Sequence, residues 1–175
     1  MKTIQNTIEK VVVNSSFGKL ATNTPDFVGK LLPEIEEQFA AITGQKGEQR
    51  PARISISGFK LREGVVIGLK STLRGARARQ FVARTVSIVL PRVRDFHGIK
   101  ISGIDRDGNL TFGIREHTVY PEIVLEKVRA PFGIEVTVVP KQRMDNAAAV
   151  VFYKGLGIPF EKEVKKVKSS TSANK

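Results

Sequence analysis

Residues 99–117 read IKISGIDRDGNLTFGIREH, and the five central residues DRDGN constrain the fold more than any other stretch of the chain. Asp–Gly and Gly–Asn tolerate the positive φ angles that a tight turn demands, and apolar residues alternate on either side. The pattern predicts two strands folded back on each other. Strand and helix signals elsewhere do not follow one another in strict strand–helix–strand order. Such a chain is expected to form an α+β fold, a mostly antiparallel sheet with helices packed on one face.

The remaining elements are read in the same way. NTIEKVVVN (6–14) alternates and then runs β-branched, as a strand does. ARISISGF (52–59) and VVIGLKSTL (65–73) read as two more strands, with Gly58 and Gly64 bracketing the loop between them. GIEVTVVP (133–140) is the last strand. In TNTPDFVGKLLPEIEEQFAAITGQ, Leu31, Leu32, Ile35, Phe39 and Ile42 recur at helical spacing. Thr24 is positioned to cap that helix with Pro25 in its first turn, Gly44 ends it, and Pro33 either kinks it or marks its true start. Residues 76–90 form an amphipathic helix with Phe81, Val82, Thr85, Val86 and Val89 inward and Arg74, Arg77, Arg79 and Arg84 outside or leading in. Pro91 is expected to stop it. A capped helix at 145–157 ends at glycines, and the charged, Ser/Thr-rich residues 161–175 read as a basic tail without a fold of its own, leaving 1–160 as one domain.

Charge bears on partners. The formal net charge is +12, and thirteen of the basic residues against three acids lie between positions 46 and 100. A solvated surface mixes signs, so this concentration points to a polyanion. No cysteine is present, which removes thiol nucleophiles, disulfides and the usual structural zinc sites. MKTIQNTIEK has no apolar core of a signal peptide and no run is long enough to span a bilayer, so the expectation is a soluble cytoplasmic protein with no membrane partner.

Catalytic readings are thin. Asp95 and His97 could form an acid–base pair of an enzyme acting on an anionic substrate, but no serine stands in a nucleophile elbow. Asp105, Asp107, Asn109 and Glu116 mimic a calcium loop, yet Leu110 stands where the loop needs glycine. No metal, cofactor or catalytic residue is expected. Basic residues interspersed with amide and hydroxyl donors remain, in TGQK, GFKLREG and KSTLRGARAR. Arginine pairs phosphates bidentately, and the hydroxyl and amide donors suit ribose 2′-hydroxyls and base edges. Trp is absent and only two Tyr occur, so a stacking platform for single strands is not expected. The residues by themselves point to RNA-binding, with structured RNA favoured.

A resemblance sharpens this reading. ITGQK (42–46), GFKLREG (58–64), IGLKSTLRG (67–75), LPRVRDFHG (90–98), DGNLTFGIREH (107–117), PEI (121–123), GIEVTVV (133–139) and GIPF (157–160) occur in that order. The set resembles the L-five family of large-subunit ribosomal proteins, of bacterial type. The resemblance implies a single non-catalytic α+β domain that binds 5S rRNA in the central protuberance, among large-subunit rRNA and neighbouring proteins. It implies RNA contacts by Asn14, Gln45 and Thr72; to these the residues themselves add Lys46 and Arg74, Arg77 and Arg79, which crowd a helix start where positive charge opposes the macrodipole and so point to an external anion. The resemblance implies a loop of Gly58, Phe59, Lys60 and Arg62 that reaches P-site transfer RNA; from the loop's own residues Phe59 is expected to pack as the anchor of its base. It implies that Arg92, Arg94, His97 and Arg115 face a small-subunit head protein across an intersubunit bridge. An off-ribosome regulator is the remaining alternative. The chain departs from the family pattern where SSFGKL follows Asn14, where GQKG lacks a proline, and where His97 replaces a common arginine.

Overall fold

Alternation along the strands decides what faces the core. In a computed structural model describing residues 7–24 and 26–161, β1 (Ile8–Ser16), β3 (Val66–Arg74) and β5 (Ile134–Pro140) form the sheet centre, between β2 (Glu48–Pro51) and β4 (Leu110–Ile114). The strand order is β2-β3-β1-β5-β4, every neighbouring pair antiparallel. Val11, Val13, Leu69, Leu73, Val136 and Val138 are buried on one side. The residues between them are polar or half-exposed and form the other side. The expected α+β architecture, with helices over one face, is therefore observed.

α2 (Leu32–Thr43) supplies Leu32, Ile35, Phe39 and Ile42 to the core and closes at Gly44, whose left-handed φ of 71° suits glycine. Its entry differs from expectation. Thr24 closes a separate short helix, α1 (Gly18–Asn23), by donating its N–H to Leu20 O. Pro25 lies outside the described residues. A wide π-type turn, Phe27–Leu31, then leads into α2, with Leu32 N–H bonding Phe27 O five residues back and Pro33 in the first α-turn. The same device recurs. After α3 (Gly75–Arg84), the wide turn Thr85–Val89 carries the chain past Pro91 into α4 (Leu90–Arg92), so Pro91 does not stop the helix at 90. Proline lacks an N–H and its ring crowds the carbonyl four residues back; one extra residue in the turn relieves both.

Two expected strands are not strands. Residues 52–59 form the tip of the β2–β3 hairpin, held by mutual Ile56–Leu61 backbone bonds, and Ile54 and Ile56 are exposed. Their alternation meets no core, because β2 is a fully exposed edge strand. The predicted turn at DRDGN forms, with Asp105 Oδ1 accepting the N–H groups of Asp107 and Asn109. Its leading arm, however, is a 3-10 turn, Ile101–Gly103, with one bridge, Ile104 to Leu110. Ile99 spends its backbone bonds elsewhere: its N–H donates to Pro159 O and its carbonyl accepts from Glu161 N–H. α5 (Asn146–Gly155) is capped as predicted, Asp145 accepting from Ala148 N–H. Apart from Glu161, the expected tail lies outside the described residues.

Candidate nucleic-acid interface

The face of the sheet that no helix covers among the described residues is built by period-two alternation. On β1 it presents Lys10, Val12 and Asn14; on β3, Lys70, Thr72 and Arg74. Register sets Lys10 opposite Arg74, Val12 opposite Thr72, and Asn14 opposite Lys70. Asn14 and Thr72 are thus diagonal neighbours on one surface. Glu48 and Arg50 extend it across β2, joined to each other at 2.8 Å. Across β5 and β4 the surface loses its positive charge: Thr111 and Thr137 hydroxyls lie 3.0 Å apart, and the Glu135 carboxylate and Gly113 complete it.

Gln45 reaches this region from behind. Its Nε2 donates to Ser71 Oγ at 2.7 Å and to Thr72 O at 3.3 Å, while its Oε1 accepts from Arg77 at 3.4 Å. Of the three expected RNA donors, the fold brings Asn14 and Thr72 onto the open face and Gln45 to the rim beside them, with its amide hydrogens already engaged. Lys46 is exposed next to it. Arg74 precedes α3 and Arg77 lies in its first turn, but Arg79 is about 200° round the helix from Arg77 and half-buried. The three arginines do not form one cluster. Sequence reading missed Lys10, Lys70 and Glu135; the alternation of charged with apolar residues through both strands was the available signal.

The hairpin tip stands apart from this face. Gly64 N–H bonds Ala52 O and Ala52 N–H bonds Val65 O, closing the base. Lys60 and Arg62 are exposed, and neither has an ion-pair partner among the described residues. Phe59 is 73% exposed, so it does not anchor the base as expected. The 3-10 turn Ser57–Phe59 carries its ring out to the lip of an open groove of about 550 Å³ that Phe17 and Leu20 also line.

In LPRVRDFHG, Asp95 takes a left-handed φ of 50° and turns the chain so that Phe96 packs on the core while Arg92, Arg94 and His97 stay exposed. Asp95 and His97 share no hydrogen bond or ion pair, so the acid–base alternative has no geometric support. Arg115 follows β4, also exposed, and no hydrogen bond or ion pair joins it to that loop. His117 is structural. It is fully buried, stacked on Phe132 with ring centroids 3.8 Å apart, and its Nδ1 accepts the Phe132 N–H at 3.2 Å. Burial lowers its pKa below the ordinary histidine value, against smaller opposing effects of that hydrogen bond and of Glu116 and Glu34. Among the described residues no group of three metal-ligating side chains gathers, and no helix is long and apolar enough to cross a membrane.

Residues 66–160 match the sequence profile of the C-terminus of the ribosomal L-five (uL5) family. The chain is 45% identical to the large ribosomal subunit protein uL5 of Anaeromyxobacter sp. (strain K) over 153 residues, which is 87% of this chain and 82% of that protein. The uL5 of Halothermothrix orenii is 41% identical over the same coverage. That of Streptococcus pneumoniae (strain Hungary19A-6) is 40% identical over 155 residues, 89% of this chain and 83% of the relative.

Proposed function

The chain belongs to the uL5 family of large-subunit ribosomal proteins, and from that premise we propose that it holds 5S rRNA on the large subunit with the open face of its sheet. As a family member it is a structural constituent of the large ribosomal subunit in the cytoplasm, a ribonucleoprotein component with rRNA and neighbouring ribosomal proteins as partners.

One observation carries the 5S reading. Lys10 lies directly opposite Arg74, and Lys70, opposite Asn14, adds a third cation two same-face positions along β3. Like charges paired across a sheet destabilise it, and neither Lys70 nor Arg74 has a counter-ion among the described residues. Glu9, 3.4 Å from Lys10, and Glu48, opposite Lys70, relieve this arrangement only in part, whereas RNA phosphates would neutralise it. Asn14 and Thr72 add uncharged groups suited to ribose hydroxyls, and Gln45 contributes its Oε1 and steadies Arg77. Lys46 flanks the surface, and Arg79, on another side of α3, is proposed as an outlying contact.

Two further surfaces extend the reading. Lys60 and Arg62, with Gly58 and Phe59 at the tip, are proposed to meet P-site transfer RNA; their separation from the sheet face supports a second RNA. Arg92, Arg94, His97 and Arg115 are proposed to face a small-subunit head protein; their exposure supports it.

The test is binding to isolated 5S rRNA over a salt series. Lys70→Ala, Arg74→Ala and Arg77→Ala should each weaken binding and lower the slope of log affinity against log salt by about 0.7–0.9 per lost phosphate contact. Gln45→Ala should cost roughly 0.5–1.5 kcal/mol of binding. Unchanged slopes in all three charge variants refute the assignment of this face.

A further inference from the structure

A carboxylate stands on the proposed RNA surface without a cation. Glu48 is neutralised by Arg50, but among the described residues Glu135 meets only the Asn14 amide, with Nδ2 to Oε2 at 3.4 Å. Lys70, which lies across Asn14 from it, makes no ion pair with it. An unpaired anion where phosphates gather is repulsive, so burial and charge give no reason for it. Beside Glu135 the sheet is bare. Its register partner on β4 is Gly113, where an added Cβ would meet nothing within 4 Å. Glycine inside a strand commonly marks a bulge, a bend or a close approach by a ligand, and the register through Gly113 is regular, without a bulge. The hydroxyls of Thr111 and Thr137 stand one pleat further along.

A carboxylate only accepts hydrogen bonds, so what it takes from RNA must be a donor. Phosphates offer none. Among the bases guanine alone presents two adjacent donors on its Watson–Crick edge, N1–H and N2–H, spaced to meet both oxygens of one carboxylate. Bases displayed on that edge are unpaired ones, in loops and bulges. Resting on the 5S reading above, we propose that Glu135 accepts the Watson–Crick edge of an unpaired guanine lying over Gly113, with Asn14 beside it. The basic residues then supply attraction and Glu135 supplies discrimination.

The proposal and simple electrostatics predict opposite signs. Removing a negative charge from an RNA surface should tighten binding. If Glu135 receives two guanine donors, Glu135→Gln should instead weaken binding about tenfold or more, because the amide turns one donor against a donor. Gly113→Val fills the slot and should weaken binding as well, without a change in melting temperature. Purified 5S rRNA is the probe, with affinity measured alongside kethoxal footprinting, which modifies N1 and N2 of unpaired guanine. Wild-type protein should protect one guanine that becomes reactive in the saturated Glu135→Gln complex. Equal or tighter binding by Glu135→Gln overturns the inference. So does weaker binding with every guanine's reactivity unaltered, which assigns the carboxylate a different donor such as a 2′-hydroxyl. Failure of the wild-type protein to bind 5S rRNA overturns the function proposed above, and with it this inference.

Discussion

His117 shows how one buried side chain ties chemistry to stability. It pairs with Phe132 twice, through His117 N–H to Phe132 O at 3.0 Å and Phe132 N–H to its own Nδ1 at 3.2 Å, closing the excursion of residues 118–131. With Nδ1 accepting, the ring proton sits on Nε2, which has no hydrogen-bond partner among the described residues; a second proton would have to displace the Phe132 N–H from Nδ1 and put a charge in a buried site. The folded-state pKa is therefore below the unfolded value near 6.5. Above that pH both states are neutral and stability is full. As pH falls below it, the unfolded chain takes up the proton first, so folding stability declines. Melting temperature should drop between about pH 7.5 and about pH 5.5, on either side of that unfolded value, and His117→Phe should flatten that drop. The variant should be less stable above the titration range by about 1 kcal/mol, having lost an acceptor for the Phe132 N–H. A variant with the wild-type pH profile refutes the assignment. The sequence names His117 but says nothing of its burial; the exposed face of a strand end and the underside of a loop look alike in one dimension.

At the scale of elements, the β2–β3 hairpin separates two surfaces. Its base is fastened by backbone bonds at Ala52 and Gly64, and Ser55 Oγ accepts the Glu63 N–H at 2.9 Å, so the tip is held independently of the sheet face. Replacing Lys60 and Arg62 together by Ala should leave 5S rRNA affinity nearly intact and weaken retention of P-site transfer RNA on assembled ribosomes. If the double variant instead loses 5S binding as far as Gln45→Ala does, the tip belongs to the 5S surface. Periodicity located this hairpin and its second strand but misplaced the first. ISISGF alternates as a strand should, yet at an exposed tip there is no apolar face for Ile54 and Ile56 to enter. The two wide turns were legible only as proline positions. Whether Pro33 and Pro91 break, kink or widen a helix depends on whether the core rewards continuing it, and Leu32, Leu90 and Val89 are buried rewards on either side.

At the scale of the whole molecule, segments distant in sequence close the structure. The segment around Phe160 lies along Ile99 in a parallel bridge, and Gly98 allows it, with φ of 108° and the backbone of Phe160 and Glu161 so close that any Cβ would overlap it. Gly98→Ala should destabilise the fold by about 2 kcal/mol or more through backbone strain and overlap, and lower the melting temperature by roughly 4–8 °C. Gly113→Ala, opening onto empty space, serves as the control and should cost little. Equal melting temperatures for both variants contradict the packing described. Sequence by itself determined the local features: the β-branched runs, the helix ends at Gly44 and Asp145, the DRDGN turn, and the ordered motifs that mark the family. Each depends on neighbours within a few residues, where propensity and capping act. Tertiary structure decided what depends on distant partners. It decided that Ile99 bonds to Pro159 and not along a hairpin, that Phe59 stays exposed, and that Gln45 is bound to Ser71. It also decided that Lys10, Arg74, Asn14 and Glu135 share one uncovered face. Strand order and register bring those residues together, and both are settled by which apolar faces can be buried at once.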